Sequence, residues 1–500
     1  MAPKAFDELK SRLARATDLR RVQRLLSWDM QVMMPPAGAS VRAEQQATLD
    51  RAAYDLFVSP ETERLLDELA PYADSIDPDS DDASLIRVAR EDYEKQVRVP
   101  PELRGEIVKA ATAGFQAWRK AKPASDFEAF RPSLDDQFEL RRRYVDCFPP
   151  SDEPYDILLD DYERGMKTAE VRAVFDRMKG ELVPLIADAA HAYGEDEGVL
   201  HREFPVDVQE QLSREILELF GHREQSWRID PTAHPFASGG GTSDIRITTK
   251  YEPVGLESLF ATMHEYGHGL YEHQVDPSLE RTPLGTGVSL GIHESQSRMW
   301  ENLVGRSRPF WNFFYPRLQE LFPEQLGDVD PETWYRAANR VQPSLIRIAA
   351  DEVSYNMHVI LRFELEQDLL AGRVETRELP TVWNQRMHEY LGVDVPDDAH
   401  GVLQDMHWGV GHIGYFSTYS LGNVISVQIW ERIREDIADL EEQIERGEFT
   451  ALREWLGEHI HRHGRKFGPR GTLERAVGAS IDPEPYMRYL REKHGAAAPA

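Results

Sequence analysis

Two histidines four residues apart, the first followed directly by a glutamate, constrain this chain more than any other stretch: His264-Glu265-Tyr266-Gly267-His268. Around them, residues 256–274 place Leu259, Phe260, Met263, Leu270 and Tyr271 at helical spacing, with no proline after Pro253, so the spacing predicts a helix. On a helix His264 and His268 share one face a turn apart, and both imidazoles reach the same ion. Glu265 projects from the neighbouring position, near enough to meet a water on that ion without ligating it. Two His ligands and a Glu base are the working parts of a zinc hydrolase. The same motif also occurs as a solvated His/Glu face on unrelated helices. Context argues against that here, because Met263 and Leu270 predict partial burial and buried imidazoles or carboxylates are rarely left unpaired. Gly267 and Gly269 each cost about 1 kcal/mol relative to alanine inside a helix. They make sense if something approaches the backbone closely, and a metal site explains these features together.

A catalytic zinc takes a third protein ligand and keeps one position open. Residues 291–300 read as a second helix, with Ile292, Met299 and the later Leu303 on its packing side. Glu294 on such a facing helix completes a His, His, Glu set. Equally, Glu294 is spaced to pair with Arg298 on the helix surface, and His293 is a rival ligand. Spacing alone leaves these alternatives open.

The chain has 500 residues, 41% hydrophobic and 29% charged, enough for a large core and typical of a soluble globular protein. No stretch approaches the roughly 18 consecutive apolar residues of a membrane span. Residues 1–8 hold acidic side chains and no apolar signal core, so no export signal is read and the cytoplasm is the expected location. The single cysteine, Cys147, excludes an intrachain disulfide and is expected to pack. A net charge of −29 argues against nucleic acid and anionic membranes as partners.

Helical periodicity dominates elsewhere: 6–26, 42–57, 60–69, 81–96, 101–120, 135–147, 168–193 and 206–220, then 309–369, 379–391, 423–446, 452–463 and 485–493. The exception is 227–251, where 228–230 and 245–249 alternate like strands, separated by the glycine run 238–242. The expected fold is mainly α: one large helical body with a deep cleft, the N-terminal helices forming one wall, and a small β element before the HExxH helix.

Further groups invite chemistry. His234 precedes the glycine run. Asp244 and Arg246 share a face of a strand that could pair with a peptide backbone, or they simply stabilise an exposed strand. Arg347 stands in an otherwise apolar predicted helix and needs an anion, either an internal carboxylate such as Asp351 or one from the substrate. His407, Tyr415 and Tyr419 lie in segments dense in groups able to donate to an oxyanion. His459, His461 and His463 mimic a metal cluster, but no carboxylate is spaced to join them, and all three read as surface or packing residues.

Taken together, these residues resemble the carboxypeptidase Taq family of zinc metallocarboxypeptidases across most of the chain. The resemblance rests on Trp28-Asp29 with Met34-Pro35, His234-Pro235-Phe236, Asp244 to Thr248, the HExxH itself, His293-Glu294-Ser295-Gln296, Ile346 to Asp351, and Gly401 to Trp408, in that order. It implies a helical, cleft-bearing enzyme, usually a homodimer, that removes single residues from free peptide C-termini with broad preference. One metallocarboxypeptidase domain would span 1–500, with 1–150 as a wall of the cleft and 151–500 as the catalytic body. By position, His264, His268 and Glu294 would hold zinc or cobalt, and Glu265 would be the general base. Arg347 and Arg246 would take the terminal carboxylate, His234 and Asp244 the peptide backbone, and His407, Tyr415 or Tyr419 the oxyanion. Two other readings are a zinc endo-oligopeptidase and a non-catalytic metal-binding protein.

Lysine is scarce beside arginine, and acidic residues spread along the whole chain, a composition suited to a high-salt cytoplasm where salt screens self-repulsion. The expected outcome is unfolding at low ionic strength with recovery in molar salt, followed by circular dichroism. Full stability in dilute buffer would refute it.

Overall fold

Side-chain caps start a few of the helices, and a buried apolar face accounts for most of them. Ser59 caps the helix Pro60–Ser75, its hydroxyl accepting from the Thr62 N–H at 3.3 Å, and Ser289 does the same for Leu290–Arg298. The computed structural model describes residues 3–193, 198–222 and 225–495. Among them no helix is long and apolar enough to cross a membrane. The fold is mainly α-helical with one three-stranded sheet.

The chain forms two compact units, each built from separated segments. The first takes Met1–Val97, Glu197–Ala338 and Ile429–Ser480, and the second takes Arg98–Asp196, Asn339–Gln428 and Ile481–Ala500. In the first, Phe6, Leu9 and Leu13 pack with Phe57, Leu65, Leu66 and Ile86, and the same cluster reaches Val275, Leu279 and Leu284. The N-terminal helices are thereby tied to the chain that leaves the HExxH helix. In the second, Val99, Leu103 and Leu140 form a smaller cluster against which Cys147 packs, as expected of an isolated thiol.

The sheet lies in the first unit: β1 (Trp227–Pro231), β2 (Ala237–Gly241) and β3 (Asp244–Thr249), in the order β1-β3-β2. β1 runs parallel to β3 and β2 antiparallel to it. Two expectations change. The glycine run is itself a strand rather than a connection. A Cβ on Gly239 would stand 2.3 Å from the Asp244 carbonyl oxygen, so only glycine lets so tight a hairpin close. β3 is also central, with its backbone bonded on both sides, so it has no free edge to offer a peptide; edges belong to β1 and β2.

The helix Glu257–His273 follows the sheet, with Leu259, Phe260, Met263, Leu270 and Tyr271 buried as their spacing predicts. The second helix, Leu290–Arg298, continues as a wider π-helical turn, Met299–Val304, and buries Ile292, Met299 and Leu303. The close approach that the two glycines permit comes from protein. A Cβ on Gly267 would lie 2.4 Å from the Gln296 carbonyl oxygen and 2.6 Å from Ser297 Cα, and one on Gly269 would lie 2.6 Å from the Trp227 ring.

Within 309–369 helices form as read, but the apolar helix expected around Arg347 does not. Arg347–Ala349 is a single 3₁₀ turn in an irregular stretch, and the next helix is Tyr355–Leu370. The Arg347 N–H donates to Gln404 Oε1 at 2.9 Å instead of to a helical carbonyl, while Asp351 Oδ1 accepts from the N–H groups of Val353 and Ser354. His459, His461 and His463 behave as read: His459 stacks on Trp455, and buried His461 bonds Gln274 and Gln296.

Gly267→Ala is expected to destabilise the metal-free protein by about 1–3 kcal/mol, because the backbone it would strike cannot swing aside. Denaturant unfolding measures this, and a variant as stable as the parent would show that the two helices can part freely.

Candidate metal centre

His264 and His268 face the helix that carries Glu294. Glu294 Oε2 lies 3.6 Å from His264 Nε2 and 3.5 Å from His268 Nε2, and the three ligand atoms all fall within 4.8 Å of one another. The alternative pairing with Arg298 holds at the same time, since the other carboxylate oxygen, Oε1, accepts from Arg298 Nε at 2.7 Å. One oxygen is anchored and the other is presented to the imidazoles. Burial opposes the charge on Glu294, but Arg298 and the two histidines hold its pKa well below the usual carboxylate range.

The surrounding hydrogen bonds decide which ring nitrogen is free. His264 Nδ1 lies 2.8 Å from Glu301 Oε2, and an ionised carboxylate only accepts, so Nδ1 carries the proton and Nε2 keeps its lone pair. His293 Nε2 lies 2.9 Å from Glu272 Oε1, which also accepts from Thr286 Oγ1 and the Gly287 N–H. With its proton on Nε2, His293 accepts at Nδ1 from His268 Nδ1, 3.0 Å away, and frees His268 Nε2. Burial disfavours both supporting carboxylates in their charged form, yet their cationic and hydrogen-bonding neighbours bring Glu272 and Glu301 to about 2. Burial lowers His268 to about 4, whereas at His264 the same penalty is outweighed by Glu294 and Glu301, which raise its pKa.

Two imidazole Nε2 lone pairs and one carboxylate oxygen, converging from two rigid helices, are the donors a zinc-type divalent ion takes. Glu265 sits beside them, buried, with Oε2 lacking any hydrogen-bond partner. Burial raises it to about 7, with smaller contributions from His264 and Arg298 that lower it and from Glu294 and Glu301 that raise it. A buried carboxylate kept unpartnered and poised near neutrality suits proton transfer.

Asp244 and Arg246 share one face and pair, Arg246 Nε to Asp244 Oδ1 at 2.9 Å. The Arg246 guanidinium also lies 4.5 Å from the Trp28 ring centroid, and Arg228, its register partner on β1, lies 4.8 Å from the same ring. His234 is exposed in the connection between β1 and β2.

In the second unit Arg347 is buried, but its carboxylate partner is Asp405 rather than Asp351, which is spent on capping. Arg347 Nη2 bonds Asp405 Oδ1 at 2.8 Å, Arg362 Nε bonds Oδ2 at 2.8 Å, and Arg347 Nη1 donates to Tyr355 Oη at 2.9 Å. Two guanidiniums thus share one carboxylate and keep one positive charge beyond it. The His407 ring stacks on Tyr415 with centroids 5.4 Å apart, and Tyr419 Oη donates to Tyr415 Oη at 3.3 Å. Burial and the nearby Arg347 lower His407 to about 3, against the pull of Asp405, so it is a neutral imidazole.

Sequence reasoning missed Glu272, Glu301, Asp405 and Arg362. For the first two a signal existed: Glu272 stands one turn beyond His268, and Glu301 two turns beyond Glu294. Nothing local marks Arg362 or Asp405, which meet only through folding.

The model of a family described as carboxypeptidase Taq (M32) metallopeptidase matches residues 8–494. Thermostable carboxypeptidase 1 of Thermus thermophilus is 39% identical over 484 residues, 94% of each chain. Carboxypeptidase 1 of Bacillus subtilis is 34% identical over 491 residues, covering 98% of this chain and 97% of the relative. The crystal structure of the M32 carboxypeptidase from Deinococcus radiodurans R1 superposes with a TM-score of 0.95 at 38% identity, covering 99% of both chains.

Glu301→Gln, which removes the charged acceptor from His264 Nδ1, is expected to weaken Zn²⁺ binding about 10- to 100-fold. Competition with a chromophoric chelator measures it, and unchanged affinity would show that the Glu301 contact leaves His264 untouched.

Proposed function

The chain belongs to the carboxypeptidase Taq (M32) metallopeptidase family, and from that premise we propose what each of its residues contributes to releasing C-terminal amino acids from peptides. The protein is a metal-dependent carboxypeptidase, a peptide hydrolase. The observation that carries the assignment of residues is the convergence of His264, His268 and Glu294 beside the unpartnered carboxylate of Glu265. The ion is zinc, with cobalt as its substitute. When bound, it lowers the pKa of a coordinated water toward ~7 and polarises the scissile carbonyl.

The remaining work falls to the chain itself. Glu265 Oε2 takes the water's proton and later delivers it to the leaving amine. Its burial leaves no competing donor to trap the carboxylate. Arg347, backed by Arg362 and carrying with it the charge that Asp405 does not cancel, binds the terminal carboxylate of the peptide; this makes the enzyme an exopeptidase. Tyr415 and Tyr419, whose hydroxyls meet, and His407, a neutral imidazole, donate to the oxyanion of the tetrahedral intermediate. Asp244, Arg246 and His234 orient the peptide backbone. The acting form is a cytoplasmic homodimer.

Peptides with free and with amidated C-termini, incubated with the zinc-loaded protein and read by mass spectrometry, test the assignment. Stepwise loss from the free end alone, abolished by chelator, is expected; internal cuts in both peptides would make the enzyme an endo-oligopeptidase. Glu265→Gln is expected to lower kcat by about 10²- to 10⁴-fold while the protein still binds Zn²⁺. Arg347→Ala should erase the preference for a free C-terminus, and unchanged selectivity in that variant would remove Arg347 from its role.

A further inference from the structure

Glu366 takes no part in the chemistry above, yet three donors converge on its fully buried carboxylate. Tyr155 Oη donates to Oε2 at 2.6 Å, the Gly414 N–H donates to the same oxygen at 2.8 Å, and Trp408 Nε1 donates to Oε1 at 2.7 Å. Among the described residues no Lys or Arg forms an ion pair with it. A buried carboxylate without a bonded cation is costly to keep, and an apolar side chain would fill the space at less expense. Burial raises Glu366 to about 7, while Tyr155, Gly414 and Trp408 all favour the charged form. What the carboxylate provides, and an apolar group would not, is a rigid acceptor that fixes three donors at once.

Two of those donors bracket one turn. Trp408 opens the segment 408–414 and Gly414 closes it; His407 immediately precedes the segment and Tyr415 immediately follows it. The closing end is pinned a second time. Gly414 has φ +97°, and a Cβ there would stand 2.7 Å from the Leu158 carbonyl oxygen, so the backbone is pressed against the helix Tyr155–Leu159, which also supplies Tyr155. Between these clamps the His407 and Tyr415 rings stack at 26°, and Tyr162 meets Tyr415 edge-on at 5.3 Å.

We propose that Glu366 is a positioning residue for the hydrolytic reaction: by holding Trp408 and Gly414 it sets the 408–414 turn so that His407 and Tyr415 stack and the Tyr415 hydroxyl is aimed. The inference rests on the reading of Tyr415 as an oxyanion donor. It predicts that Glu366 acts on kcat through Tyr415 and leaves the metal ligands and substrate affinity alone.

Glu366→Gln is the direct test. An amide has one accepting and one donating end, so whichever way it lies its NH₂ faces an N–H, of Trp408 or of Gly414. In the zinc-loaded full chain this variant is expected to lower kcat about 10- to 100-fold, with KM and zinc content unchanged. In a Tyr415→Phe background the same substitution should cost less than about threefold more, as expected when two residues act as a unit. Tyr155→Phe removes a single donor and leaves Glu366 Oε2 its bond from Gly414. It is expected to lower kcat by about threefold while the protein stays folded, with a thermal midpoint lowered by a few degrees at most. It keeps the test decisive if Glu366→Gln fails to fold, since full kcat in Tyr155→Phe would then overturn the inference. Full kcat in Glu366→Gln beside an impaired Tyr415→Phe would also overturn it, as would a full additional loss on top of Tyr415→Phe. Full kcat in Tyr415→Phe alone would instead overturn the oxyanion reading, and this inference with it.

Discussion

Everything at the metal centre depends on how closely two helices meet at Gly267. The imidazoles of His264 and His268 come from one helix and the carboxylate of Glu294 from another, and they converge only because the Gln296–Ser297 backbone occupies the space where a side chain on residue 267 would be. A helix-interior glycine is unfavourable by itself. Here it gives up local helix propensity for a backbone-to-backbone contact that side chains would hold several ångströms wider. Gly269 serves the same packing on its other side, against Trp227 and Ile245 of the sheet.

Once the helices are that close, the chemistry is set by where protons are allowed to sit. Glu301 and the His293–Glu272 pair do not reach the ligand atoms of the site, but they dictate that both imidazoles carry their protons on Nδ1. Arg298 completes the arrangement by anchoring Glu294 Oε1 and bonding Glu301 Oε2. Glu265 differs from the carboxylates around it: Glu272, Glu294 and Glu301 are bonded and lowered in pKa, while Glu265 Oε2 has no partner and burial raises it toward neutrality. The same low dielectric acts on all of these carboxylates; bonded donors and nearby cations outweigh it at Glu272, Glu294 and Glu301, and it prevails at Glu265.

The second unit applies the same physics with the opposite sign. Arg347 and Arg362 share Asp405, so positive charge is in excess there, and burial, helped by Arg347 and opposed by Asp405, lowers the pKa of His407. A neutral imidazole stacked on a tyrosine, beside a second tyrosine hydroxyl, is a donor set suited to a developing negative charge rather than to a metal. Glu366 adds a fixed acceptor beneath the turn that carries this set, placing a buried anion where it organises backbone and ring N–H groups instead of neutralising a side chain.

How much of this was legible in the chain itself follows from the range over which each interaction works. HExxH spacing determined that two histidines and a glutamate would share a helical turn, and helical periodicity determined a mainly α fold with Leu259, Met263 and Leu270 inward, because both depend only on residues a turn or two apart. Glu294 was within reach by position, yet spacing could not choose between ligand and ion-pair partner; the fold turns one oxygen toward the two imidazoles and the other toward Arg298. Trp28 was singled out as part of a motif, but its place between Arg228 and Arg246 appears only once the first helix lies on the sheet. The glycine run gave no hint that it would be a strand, since glycine's weak strand propensity was overridden by the hairpin it alone could close. The pairing of Arg347 with Asp405, 58 residues on, and the three donors gathered on Glu366 were decided by tertiary structure alone. Their energies come from burial and from contacts across the chain, and neither leaves a period in the sequence.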